Sequence, residues 1–62
     1  MSTLCSIERF LSKTGMAPTR FGRLSARDPR LVFDLRLGRE PTARMRRRLE
    51  HFMNNYASEA RP

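Results

Sequence analysis

The sequence contains one cysteine, one histidine and no tryptophan among its 62 residues. A lone thiol excludes an internal disulfide. Cys5 and His51 together fall short of the four ligands that a structural zinc site needs, so no metal or other cofactor is expected. No apolar run approaches the roughly 18 residues of a membrane span. No signal-peptide core stands near the start of the chain. The expected setting is cytoplasmic, with no membrane partner. A chain this short buries only about 60% of its unfolded surface. Its core must be thin, and reinforcement must come from tight helix packing, self-association or ligand binding.

Acidic residues are also scarce. Six face thirteen basic ones, giving a formal net charge of +7. Only Lys13 among the basic residues is lysine, a choice that GC-rich coding explains. Coding bias does not explain the excess of positive charge. On so small a surface that excess makes polyanions the natural partners.

Apolar periodicity and Gly/Pro punctuation divide the chain into four amphipathic helices around one core, in a single domain spanning residues 1–62. The first is expected over Thr3 to Thr14, with Leu4, Ile7, Phe10 and Leu11 on one face, Ser2 or Thr3 as N-cap and Gly15 as its stop. The second is expected over Pro18 to Leu24, with Phe21 and Leu24 pointing one way. Gly22 lies inside it, at a cost of about 1 kcal/mol relative to Ala, which predicts close approach by another element. A break at Ser25, Ala26 and Arg27 follows. The third helix is expected to open at Asp28-Pro29, a strong N-cap followed by an ideal first helical residue. It should run through Val32 and Leu35 and end at Gly38. The fourth should start after Pro41 with Thr42 as N-cap. Its apolar stripe is Met45, Leu49, Phe52, Met53 and Tyr56, with Arg44, Arg47, Arg48 and His51 opposite. Residues 57–62 should fray. Cys5 is expected at the edge of the core, and Met16, Met45 and Met53 as core filler.

The segment over about residues 18–37 has the pattern of a helix-turn-helix. Gly22 allows the second helix to be crossed closely, and Phe21 before it reaches the core. Ten and thirteen residues beyond Gly22, Val32 and Leu35 anchor the next helix. Arg27 departs from the pattern, because the residue five beyond the glycine is usually apolar. The turn is therefore expected to be longer or differently shaped.

Phe21-Gly22, Asp28-Pro29, Val32-Phe33-Asp34-Leu35-Arg36 and Gly38-Arg39-Glu40-Pro41 resemble the small Cro- and lambda-repressor-like (XRE-type) helix-turn-helix proteins of bacteria and phages. The chain is most similar to short alphaproteobacterial members that also carry Thr-Gly-Met, as at Thr14-Gly15-Met16. The resemblance implies an all-α, four-helix Cro-like domain. It further implies a DNA-binding transcriptional regulator whose third helix enters the major groove. Many relatives have a fifth helix, for which this chain is expected to be too short, so the resemblance does not extend to their usual dimer interface.

The expected partner is double-stranded DNA. Arg30 and Pro29 stand at the start of the third helix, where side chains reach base edges, and arginine pairs with guanine O6 and N7. Phe33 and Leu37 share a face with Arg30. An extra phenylalanine on a short helix packs by default into the core; left outside, it would meet thymine methyls. Asp34 suits an ion pair or a cytosine amine. Thr19 and Arg20 begin the second helix, whose N-terminus favours anions. Arg23, Arg27, Arg36 and Arg39 are candidate phosphate contacts. Arg46 to Arg48 form a solvated outer face or a second phosphate patch. Nothing suggests catalysis, since His51 has no nucleophile at a meaningful spacing, and no small-molecule substrate is expected. A homodimer through the fourth helix and Tyr56 is expected to read an inverted repeat. Two rival readings are an adaptor of the transcription machinery and a non-specific architectural nucleic-acid binder.

Overall fold

The computed structural model describes residues 2–59, and it is all-helical. Four helices follow in order: α1 over Thr3–Thr14, α2 over Pro18–Ala26, α3 over Leu31–Arg36 and α4 over Ala43–Glu59. None of them is long and apolar enough to cross a membrane. The expected fraying over residues 57–62 lies outside the described residues, apart from the backbone of α4 as far as Glu59.

The punctuation residues act as their chemistry dictates. Ser2 caps α1 by accepting the Cys5 N–H at 3.1 Å. Gly15 stops it in the left-handed conformation at φ 73°, its N–H reaching the Leu11 carbonyl at 2.9 Å. Thr14 bonds the Phe10 carbonyl through its hydroxyl and accepts the Met16 N–H, which ties the connection to the helix end. Pro18 occupies the first turn of α2. Thr42 caps α4 by accepting the Met45 N–H at 3.1 Å. At the end of α3, Gly38 takes φ 106° and donates to the Leu35 carbonyl, while the Arg39 N–H reaches back to Asp34. These two bonds are the paired closures of a Schellman end, which needs a residue free of Cβ strain.

The core is built from one stripe of each helix. Ile7, Phe21, Leu31, Val32 and Leu49 are fully buried, and Leu11, Met16 and Leu35 nearly so. Leu4, Phe10, Met45, Phe52, Met53 and Tyr56 pack against them from the rim. Phe10, Phe21, Phe52 and Tyr56 form an aromatic cluster with neighbouring centroids 5.4–6.1 Å apart. Most of these contacts are tilted or edge-on, the geometry that ring quadrupoles favour. The cluster joins α1, α2 and α4. Ser25 is buried among these residues, and its hydroxyl bonds the Phe21 carbonyl at 2.6 Å.

Three expectations need correction, and one buried residue stood outside them. Leu24 does not follow Phe21 inward; it is 52% exposed, because α2 runs on through the expected break to Ala26 and buries the stripe of Phe21, Gly22 and Ser25, which leaves Leu24 off its edge. Cys5 is exposed rather than at the core edge. Leu31, beside the expected anchors, is fully buried. The third helix starts at Leu31, not at Asp28-Pro29. Pro29 and Arg30 instead form a turn, closed by the Leu31 N–H on the Asp28 carbonyl at 3.1 Å. Asp28 still caps, but it caps that turn, its carboxylate accepting the Arg30 N–H at 3.1 Å.

Candidate nucleic-acid interface

The connection between α2 and α3 is set by two residues. Arg27 closes α2 in the left-handed conformation at φ 55°, the sole non-glycine with positive φ among the described residues. Its N–H bonds the Arg23 carbonyl, and the Asp28 N–H bonds the Gly22 carbonyl, each at 3.0 Å. The departure from the usual apolar residue is thus accommodated. The backbone reverses at Arg27 and carries its side chain to the exterior. Gly22 is buried beneath this turn. A Cβ there would overlap the Asp28 carbonyl oxygen and lie 3.3 Å from Leu31 Cβ. The missing side chain is therefore what lets the turn and the start of α3 settle onto α2.

With α2 and α3 so placed, the expected site residues fall into two groups. Thr19, Arg20, Arg23, Arg27, Pro29 and Arg30 are exposed. Among the described residues the side chains of these four arginines have no ion-pair partner. The start of α2 has no side-chain cap, so its first-turn N–H groups also face outward without an intrahelical acceptor. Phe33 does not pack into the core: it is 44% exposed, and Leu37 is 86% exposed. They stand with Arg30 on the outer face of α3, opposite Val32 and Leu35.

The second group is committed to holding the fold, which corrects the reading of Arg36 and Arg39 as open phosphate contacts. Arg36 makes a two-pronged bond to Glu8 of α1, with Nε and Nη2 donating to the two carboxylate oxygens at 2.8 Å. This hydrogen bonding holds the Glu8 carboxyl below its ordinary value and raises the Arg36 guanidinium. The guanidinium carbon also lies 5.8 Å from the centre of the Phe33 ring. Arg39 stands between Asp28 and Asp34, at 3.3 Å from each. Asp34 is therefore an ion-pair partner. Glu8 was not legible as part of this arrangement, because its partner is 28 residues away and no local pattern links them. Leu31 could have been found from its spacing of four to Leu35, a helical pair that Val32 obscures.

Arg44, Arg46, Arg47 and Arg48 are all exposed on α4 and, like the arginines of α2, have no ion-pair partner among the described residues. Tyr56 rests against Phe10 and Phe52, so an interface through this helix would have to use the outer edge of its ring. In comparisons with known proteins, no family model, no curated protein and no solved structure matches the chain.

Proposed function

We propose that this protein is a sequence-specific duplex DNA-binding regulator of transcription, with α2, the turn and α3 acting as a helix-turn-helix of the Cro and lambda-repressor type. The observation that carries the reading is the seating of the Asp28 turn on Gly22. It fixes α3 against α2 while leaving Arg30, Phe33 and Leu37 outward, flanked by Arg20, Arg23 and Arg27. In this reading α3 lies in the major groove and Arg30, in the turn that leads into it, reaches a guanine edge. Thr19, Arg20, Arg23 and Arg27 meet phosphates. Arg36, Asp34 and Arg39 hold the helix rather than touch the duplex. Pairing of two copies on an inverted repeat belongs to the same reading, with half-sites about one helical turn apart.

Selection of bound sites from random duplexes tests this, followed by titration at several salt concentrations. A regulator prefers its own site by roughly a thousandfold or more. An architectural protein shows no such preference, and an adaptor binds DNA weakly or not at all. Arg30→Ala is expected to cost about 1–3 kcal/mol on the selected site and to relax one base pair. Arg23→Ala should weaken all sequences alike and reduce the log–log salt slope by about one. If Arg23→Ala alters base preference while Arg30→Ala leaves it intact, the docking is reversed.

A further inference from the structure

The outer face of α3 poses a chemical problem that charge alone does not answer. Phe33 and Leu37 are large apolar side chains, one helical turn apart, and both are left in water. Each would contribute about 1.5–3 kcal/mol if buried, yet the core is filled from the other side of the same helix by Leu31, Val32 and Leu35. Phe33 is also held in place. The Arg36 guanidinium beside its ring is pinned by two bonds to Glu8, and the side chain is still 44% exposed.

The partner of this face must be anionic, because the nearby acids Asp28, Asp34 and Glu8 are already paired while Arg27 and Arg30 are not. The same face of a second copy would bring Arg27 and Arg30 against their own counterparts and be repelled. An anionic partner that also offers apolar groups within reach of a helix is duplex DNA, whose major groove displays one such group, the thymine 5-methyl. We infer that Phe33 and Leu37 are specificity-determining residues that read thymine methyl groups, an inference that rests on the DNA-binding reading above. Four residues of helix rise about 6 Å, and stacked bases lie about 3.4 Å apart. The two thymines should therefore lie within about two base-pair steps of each other, next to the base that Arg30 reads.

The test uses the full chain and a duplex selected from random sequence. Each thymine of that site is replaced in turn by deoxyuridine, which lacks only the methyl group, and affinity is measured at fixed salt. One or two positions should each weaken the wild-type protein about fourfold, the value of one buried methyl at about 0.8 kcal/mol. Leu37→Ala should bind the unmodified site more weakly and lose sensitivity to deoxyuridine at one position; Phe33→Ala should do so at the other. Leu37 is 86% exposed, so its variant keeps the fold and carries the test alone if Phe33→Ala unfolds. The inference is overturned if the wild type ignores deoxyuridine everywhere, or if both variants retain its full effect. It is also overturned if the two substitutions abolish self-association and leave base preference unchanged. If selection yields no preferred sequence at all, the DNA-reading proposal fails first and this one falls with it.

Discussion

The arginines at and just beyond the end of α3 and those of α4 occupy opposite electrostatic settings. Arg36 is locked to Glu8, and Arg39 bridges Asp28 and Asp34. Arg44, Arg46, Arg47 and Arg48 share the first two turns of α4 with no acidic residue in its first turn. There Arg44 and Arg46, in the first turn, oppose the positive end of the helix dipole, and Arg44 stands three and four residues from Arg47 and Arg48. Charge around α3 sets geometry, whereas charge on α4 is kept at a cost to the helix. Composition counts all of these residues alike, and so overstates how many cations are open to a ligand near α3.

The largest expected effect tests whether the α3 side is shaped by backbone contact before charge. A mid-helix glycine changed to alanine should gain about 1 kcal/mol from propensity. At Gly22 the sign should reverse, with Gly22→Ala destabilising by roughly 1–3 kcal/mol through overpacking against Asp28 and Gly22→Leu abolishing cooperative unfolding. Urea denaturation measures both. A stabilised Gly22→Ala would mean that the turn can lift off α2 freely, and the ion pairs would then have to set the position of α3.

A smaller effect separates the two arginine groups directly. Arg44→Glu places an acid in the first turn of α4 and removes the repulsions with Arg47 and Arg48, and should stabilise the fold by about 0.3–1 kcal/mol. Arg36→Gln should lower the melting temperature instead. Equal shifts of the same sign would erase the distinction drawn between α3 and α4.

The smallest effect is the pH dependence of the Glu8–Arg36 pair, since both side chains are 41% exposed and solvent screens them. The Glu8 carboxyl is held below its ordinary value by the Arg36 hydrogen bonds. The pair's contribution is therefore fully present above the ordinary carboxylate range and is lost as pH falls through the lowered folded value. Glu8→Gln should make the melting temperature fall less steeply with acid than in the wild type across the same window. A wild type whose stability does not change there would show that the pair adds nothing measurable.

Much of the fold was legible locally. Ser2, Gly15, Pro18, Gly38 and Thr42 each mark a helix boundary, because a cap or stop depends on backbone groups within one turn of itself. The stripes of α1 and α4 were legible for a related reason: in a long amphipathic helix one face alone is apolar. The candidate site was legible in part. The sequence placed Arg30, Phe33 and Leu37 on one face and Val32 and Leu35 on the other as the anchors, and those two are buried; it did not show that Phe33 would stay outside.

What the sequence by itself determined is a four-helix, cationic chain without membrane-spanning apolar runs, closely packed at Gly22. Periodicity, caps and charge are properties of neighbouring residues. Tertiary structure alone decided that α3 begins at Leu31, that Leu24 and Phe33 stay outside, that Arg27 reverses the backbone, and that Arg36 and Arg39 are taken by Glu8, Asp28 and Asp34. The physical reason is one of reach. A six-residue α3 has too little periodicity to choose its own buried face. The choice falls to the surface it lands on, made by the neighbouring α2 and by α1, which is remote along the chain.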